Sequence, residues 1–255
     1  MKDLFRIFLS GLFVCFASAE SQTYTNAMPE SPRTDARRWT PVYFSLMVDE
    51  DQKWMAPTEP FDVYGLAIGP VLTGVPGTVA GVSISGLATA VEEQFFGVEI
   101  AGLAQFGQIG YGAQIALGGN AFNVFYGIQF AGIANVASGG GLQLAIGVNE
   151  TDDAFNLGDK LRDGGRESEW SGLQLSVIGN RACYLDGVQF SLCYNYAVRC
   201  RGLQVALRND AEELHGAQIG LINTARTGTG VQIGLINTFG TDQDRLVLPF
   251  LNARF

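Results

Sequence analysis

Histidine is almost absent from this 255-residue chain: His215 is the only one, so any Ser-His-Asp or Cys-His chemistry would have to pass through it. Its position speaks against that role. His215 stands just before a repeated glycine, in a slot filled elsewhere by Tyr126, Asp186, Arg201 and Thr229, and a slot that accepts any side chain reads as an exposed turn. Positive charge is scarce as well, with 16 Lys and Arg against 25 Asp and Glu, a formal net charge of -9. A nucleic-acid partner is therefore not expected, because phosphate binding needs a basic face. Beyond residue 19 the only lysines are Lys53 and Lys160, and no basic run is present to hold anionic lipid.

Cysteine is also sparse, at four residues. Cys15 lies in the N-terminal apolar run, and the spacing of Cys183, Cys193 and Cys200 is not that of a zinc site. In an exported chain these three allow one disulfide, and the turn-proximal Cys183 and Cys200 are the expected pair. No stretch after the N-terminus is long and apolar enough for a transmembrane helix, and long helical patterns are missing. The acidic run with Asp152, Asp153, Asn156 and Asp159 lacks the ligand spacing of a calcium loop. No metal, cofactor or catalytic residue is assigned.

What is present begins with an export signature. Lys2 and Arg6 precede the apolar run Ile7 to Phe16, and Ala17-Ser18-Ala19 supplies small residues for cleavage before Glu20. Val14 before Cys15 argues against lipidation. Residues 20–40, with Pro29, Pro32 and mixed polar residues, read as a flexible tether. A single all-β domain is expected over 41–255, its first strands at Pro41–Val48 and Phe61–Gly69.

That domain is one short unit written many times. Its clearest copies start Gly172-Leu-Gln174, Gly187-Val-Gln189, Gly202-Leu-Gln204, Gly216-Ala-Gln218 and Gly230-Val-Gln232, and each continues to an Asn such as Asn223 or Asn237. Used as a ruler, these copies locate earlier ones at Gly65, Gly81, Gly97, Gly112, Gly127 and Gly141, with Ser83 and Glu99 in the Gln position of two of them. The step is 14 to 16 residues throughout, except for 31 between Gly141 and Gly172, where an acidic insert over about 148–171 joins another repeat's length of chain. Self-similarity at a fixed short period marks a repeat architecture.

Within each copy apolar residues alternate with Gln and a small residue, which predicts strands with two unlike faces. One copy cannot bury such a face alone. The leading Gly suits a corner with positive φ, and the trailing Asn suits a turn or a stack on the next Asn. Two architectures meet these conditions. One is a β-solenoid of eleven or twelve coils, its apolar face inward and its Gln and Asn in external or corner ladders. Charges at Phe190 or Ile233 would then be ruinous and changes at Gln189 or Gln232 mild. The other is a 12-stranded antiparallel outer-membrane barrel with the apolar face toward lipid. Translation favours the solenoid, because identical copies need identical surroundings. The ending Leu251 to Phe255, alternating up to a terminal aromatic, favours the barrel.

The entry Val63 to Leu66, the tandem Gly-x-Gln-x-Gly/Ser/Ala units and the closing Leu248 to Phe255 together resemble the bacterial surface-repeat proteins of the leptospiral type, over roughly Pro41 to Phe255. The insert and the three cysteines depart from that pattern. The resemblance implies an exported, non-catalytic protein of the cell envelope, at the outer membrane or cell surface or else in the periplasm. Such a protein would be structural or adhesive, with an unknown protein or glycan ligand at the cell surface. The rival expectation is a barrel serving as channel or membrane anchor.

Overall fold

The computed structural model describes residues 38–45, 61–151, 169–241 and 243–255. Arg37–Phe255 forms one compact unit. The signal sequence, nearly all of the tether, and the calcium reading of the insert lie outside the described residues.

Every described element is a strand: β1 (Arg38–Phe44), β2 (Phe61–Gly69), β3 (Leu72–Val75), β4 (Val79–Ser85), β5 (Ala88–Ala101), β6 (Ala104–Ala116), β7 (Gly119–Ala131), β8 (Ala134–Ala145), β9 (Val148–Glu150), β10 (Glu169–Ser176), β11 (Gly179–Ser191), β12 (Tyr194–Val205), β13 (Arg208–Ile219), β14 (Ile222–Phe239) and β15 (Leu246–Arg254). They stack in sequence order and in parallel, with Gly172 on Gly187, Gly187 on Gly202 and Gly202 on Gly216. This is a β-solenoid of about ten turns, not a barrel. Parallel stacking puts each Gln on a Gln and each Asn on an Asn, so identical copies have identical surroundings.

Each long strand runs along an Asn-bearing segment, bends at the repeat glycine and continues along a Gln-bearing segment. The bend explains why glycine recurs. Gly202 has φ of 142° and Gly216 of 148°, and a Cβ on either would collide with the carbonyl oxygen of the glycine one coil earlier. The last strand breaks the rule: β15 pairs with β14 antiparallel and closes that end of the stack. The alternating C-terminus is thus a cap and not the closing strand of a barrel.

The insert interrupts one coil and does not replace it. Gly141 pairs directly with Gly172, and Asn149 of β9 stacks between Asn135 and Asn180. The described parts of the expected 148–171 insert are therefore ordinary solenoid, and the extra chain lies between Thr151 and Glu169.

Candidate functional site

The largest departure from expectation concerns which face is inside. Gln174, Gln189, Gln204, Gln218, Gln232, Asn223 and Asn237 are all buried, whereas Phe190 and Ile233 are 45% and 47% exposed. The amides form the interior and the apolar row is external. Translation makes this workable: an amide is both donor and acceptor, so a stack of identical amides satisfies itself. Gln189 Nε2 donates to Gln174 Oε1 at 2.9 Å, Gln204 to Gln189 at 2.9 Å and Gln218 to Gln204 at 2.8 Å. The ladder runs unbroken from Gln232 to Gln114, every bond pointing toward the N-terminus.

The Asn ladder runs the other way. Asn195 donates to Asn209, Asn209 to Asn223 and Asn223 to Asn237, at 2.8 to 3.0 Å. The second hydrogen of each amide goes to a backbone carbonyl of the next coil, as from Asn209 to Ile219 and Asn223 to Ile233, both at 2.9 Å. That second bond fixes which end of each amide is nitrogen.

Apolar packing takes the rest of the interior, in a row through Ala182, Ala197, Ala211 and Ala225 with Val75, Val91 and Phe122 nearer the N-terminal end, and in a second row beside the glycine bend. Phe95, Gly110, Phe125, Gly139, Trp170, Leu185, Cys200, Leu214 and Gly228 lie in one row, and a Cβ on Gly110 would run into the Phe125 ring. Bulky and small residues thus take turns to fill a thin core. Cys200 belongs to this row, and burial pushes its thiol up to about 12. Cys183 is half-buried on the preceding strand, Cys193 is exposed, and no disulfide joins Cys183 to Cys200. The expected bridge fails because Cys200 faces inward beside Leu185, in the row to which Cys183 does not belong.

One titratable group interrupts the amide ladder. Glu99 occupies the Gln position of its coil, is fully buried, and accepts from Gln114 Nε2 at 2.8 Å. Burial pushes its carboxyl up to about 7 against the lowering effect of the Thr89 hydroxyl and the Gln114 amide. Its Oε1 has no partner at hydrogen-bonding distance.

His215 is on the exterior at the glycine edge between the Asn-bearing and Gln-bearing sides, in the row of Asp186 and Arg201. Its Nε2 lies 2.8 Å from Glu213 Oε1 and its Nδ1 3.2 Å from Thr229 Oγ1. The order carboxylate, imidazole, hydroxyl is that of a nucleophile relay, but Glu213 and His215 are each more than a third exposed and the row is open to water. Hydrogen bonds from His215 and then Arg199 hold the Glu213 carboxyl below its usual range. Around it run further cross-coil pairs, Arg199 to Glu213 at 2.6 Å and Arg181 to Glu150 at 3.3 Å. This exterior is a ladder of surface charges. Among the described residues no group of three His, Cys, Asp or Glu side chains is placed to hold a metal ion.

The exterior of the Gln-bearing side is the opposite in character. Two columns cross it from β1 to β15. The first is Val42, Leu66, Val82, Val98, Ala113, Ile128, Leu142, Leu173, Val188, Leu203, Ala217, Val231 and Ala253. The second is Phe44, Ile68, Ile84, Ile100, Ile115, Phe130, Leu144, Leu175, Phe190, Val205, Ile219, Ile233 and Leu251. A third apolar row follows at the next corner, including Leu117, Leu192, Leu207 and Leu221. Along the glycine edge Phe96, Tyr111 and Tyr126 stack with centroids 5.0 and 5.6 Å apart. Sequence reading found these columns by their alternation but assigned them to the core.

No protein-family model matches the chain, and no curated protein or solved structure matches it either.

Proposed function

We propose that this is a non-catalytic repeat protein exported to the cell envelope, whose solenoid offers an extended surface for adhesion or for binding a protein or glycan ligand. The observation that carries the reading is the uniformity of the coil. Interior positions are committed to the amide ladders and the buried apolar rows, which leaves the exterior rows as the variable, recognisable part of the molecule. The row that contains His215 varies from Tyr126 through Asp186 and Arg201 to Thr229 at constant backbone geometry, as a recognition surface requires. The export signature at residues 1–19 and the resemblance to leptospiral-type surface-repeat proteins support the same reading.

The test is to label intact cells that carry an epitope-tagged chain, then to fractionate them. Labelling of intact cells, with a processed N-terminus at Glu20, is the expected outcome. Recovery of an unprocessed chain from the cytosol would overturn the proposal.

A further inference from the structure

The two columns of the Gln-bearing exterior form a sheet face with no charged or hydrogen-bonding side chain from β1 to β15. Thirteen stacked strands make it. At a strand spacing of about 4.8 Å and roughly 3.3 Å per residue from the glycine to the next corner, the face covers on the order of 1,000 Å². The largest apolar patch of an ordinary monomer is about 300–600 Å². The face is exposed as well as large: Ile128 is 49%, Ile219 41% and the corner residue Leu117 72% accessible.

We propose that this face seats on a lipid bilayer with uncharged, zwitterionic headgroups, holding the solenoid flat on the membrane. Three observations select lipid over a second copy of the chain. First, even homodimer interfaces are only about 65% apolar and carry hydrogen bonds. A face whose columns contain no polar side chain suits hydrocarbon instead. Second, the backbone beneath the columns is spent on coil-to-coil pairing, so between the terminal strands no unpaired peptide group meets the lipid. Third, the glycine-edge row that borders the face carries Tyr111 and Tyr126, 40% and 48% exposed, and continues as Asp186, Arg201 and His215, so amphipathic rings and then charged groups stand where apolar surface gives way to polar. Charge decides the lipid type. The chain carries -9, with no basic cluster in the columns, so an anionic surface would repel it.

The inference rests on the face alone and not on the exported role proposed above. Flotation of the purified full chain with phosphatidylcholine vesicles tests it without reference to cellular location. The parent is expected to float, and to do so equally at 0.05 and 0.5 M salt, because apolar burial is not screened. The double variant Ile128→Glu with Ile219→Glu should lose at least tenfold in partitioning while keeping its β-sheet circular dichroism. Thr227→Glu, exposed on the charged Asn-bearing exterior in the row of Arg199 and Glu213, should float like the parent. A parent that stays at the bottom of the gradient overturns the proposal. So does a folded double variant that floats undiminished, since the apolar residues near the N-terminus would then be the anchor. Light scattering that shows a lipid-free dimer split by the two Glu substitutions, without flotation of the parent, would assign the face to a second copy.

Discussion

Gln114 donates from Nε2 to Oε2 of Glu99 at 2.8 Å, and there the glutamine ladder meets a side chain that, when ionised, only accepts. In the folded chain burial raises the Glu99 carboxyl to about 7 from its ordinary 4.5. Between those values the folded state holds a proton that the unfolded state has released, so stability falls as pH rises from about 4.5 to 7 and levels off above. The shift corresponds to on the order of 3 kcal/mol. Glu99→Gln should remove that slope and exceed the parent in stability at pH 8. Urea midpoints of both chains at pH 5 and pH 8 decide it, and parallel losses in the two would contradict the assignment to Glu99.

The interior position of the amides makes a second expectation sharp. Gln204→Leu leaves Gln189 Oε1 without its donor and Gln218 Nε2 without its acceptor. Each orphaned buried group costs about 1–3 kcal/mol, so a loss of roughly 2–6 kcal/mol is expected. Phe190→Asp, on the exposed column, should stay within about 1 kcal/mol of the parent. Denaturant melts of the two variants read the difference directly. Equal losses would mean that the faces are not distinguished in this way.

Thiol chemistry checks the inward row. Cys193 is exposed, while Cys200 is buried with its thiol pushed up to about 12. A disulfide reagent at pH 8 should modify Cys193 in the native protein and Cys200 only at the rate of unfolding. Prompt modification of Cys200 would place it on the outside.

Coil geometry supplies a further prediction. Deleting Gly202–His215 removes one full coil and lets Gln218 meet Gln189 and Asn223 meet Asn195, shortening the stack by about 4.8 Å with a modest loss of stability. Deleting only Gly202–Arg208 puts Asn209 at the positive-φ corner where Gly202 stood and Ala211 where a Gln belongs, and should abolish folding. Limited proteolysis of both variants compares them; survival of the half-coil deletion would defeat the ladder account.

The period, the corner glycines and the stacking Asn were legible in the sequence because each depends on local backbone geometry and exact translation. Phe61–Gly69 has its expected bounds for the same reason, as a β-rich run around the corner Gly65 after a turn-rich segment. Which face of the alternation turns inward was not legible. Hydropathy ranks a single buried Gln as costly, and the favourable term appears only when Gln189 sits between Gln174 and Gln204. The strip that alternates Phe125, Gly139 and Trp170 escaped notice because its complementarity runs between coils, 14 or more residues apart in the chain. Cys200 was misassigned to a turn, since only the coil register shows that it continues the Leu185 row.

The opposed directions of the two amide ladders bear on how such a chain can change length. Each coil adds one side-chain amide dipole pointing up the stack, as from Gln204 to Gln189, and one pointing down it, as from Asn195 to Asn209. Their sums nearly cancel however many coils there are, so neither end accumulates the partial charge that builds up at the ends of a long helix. Gain or loss of whole coils by gene duplication or slippage therefore meets no electrostatic penalty that grows with length, and coil number is left for selection to set through the size of the surface displayed.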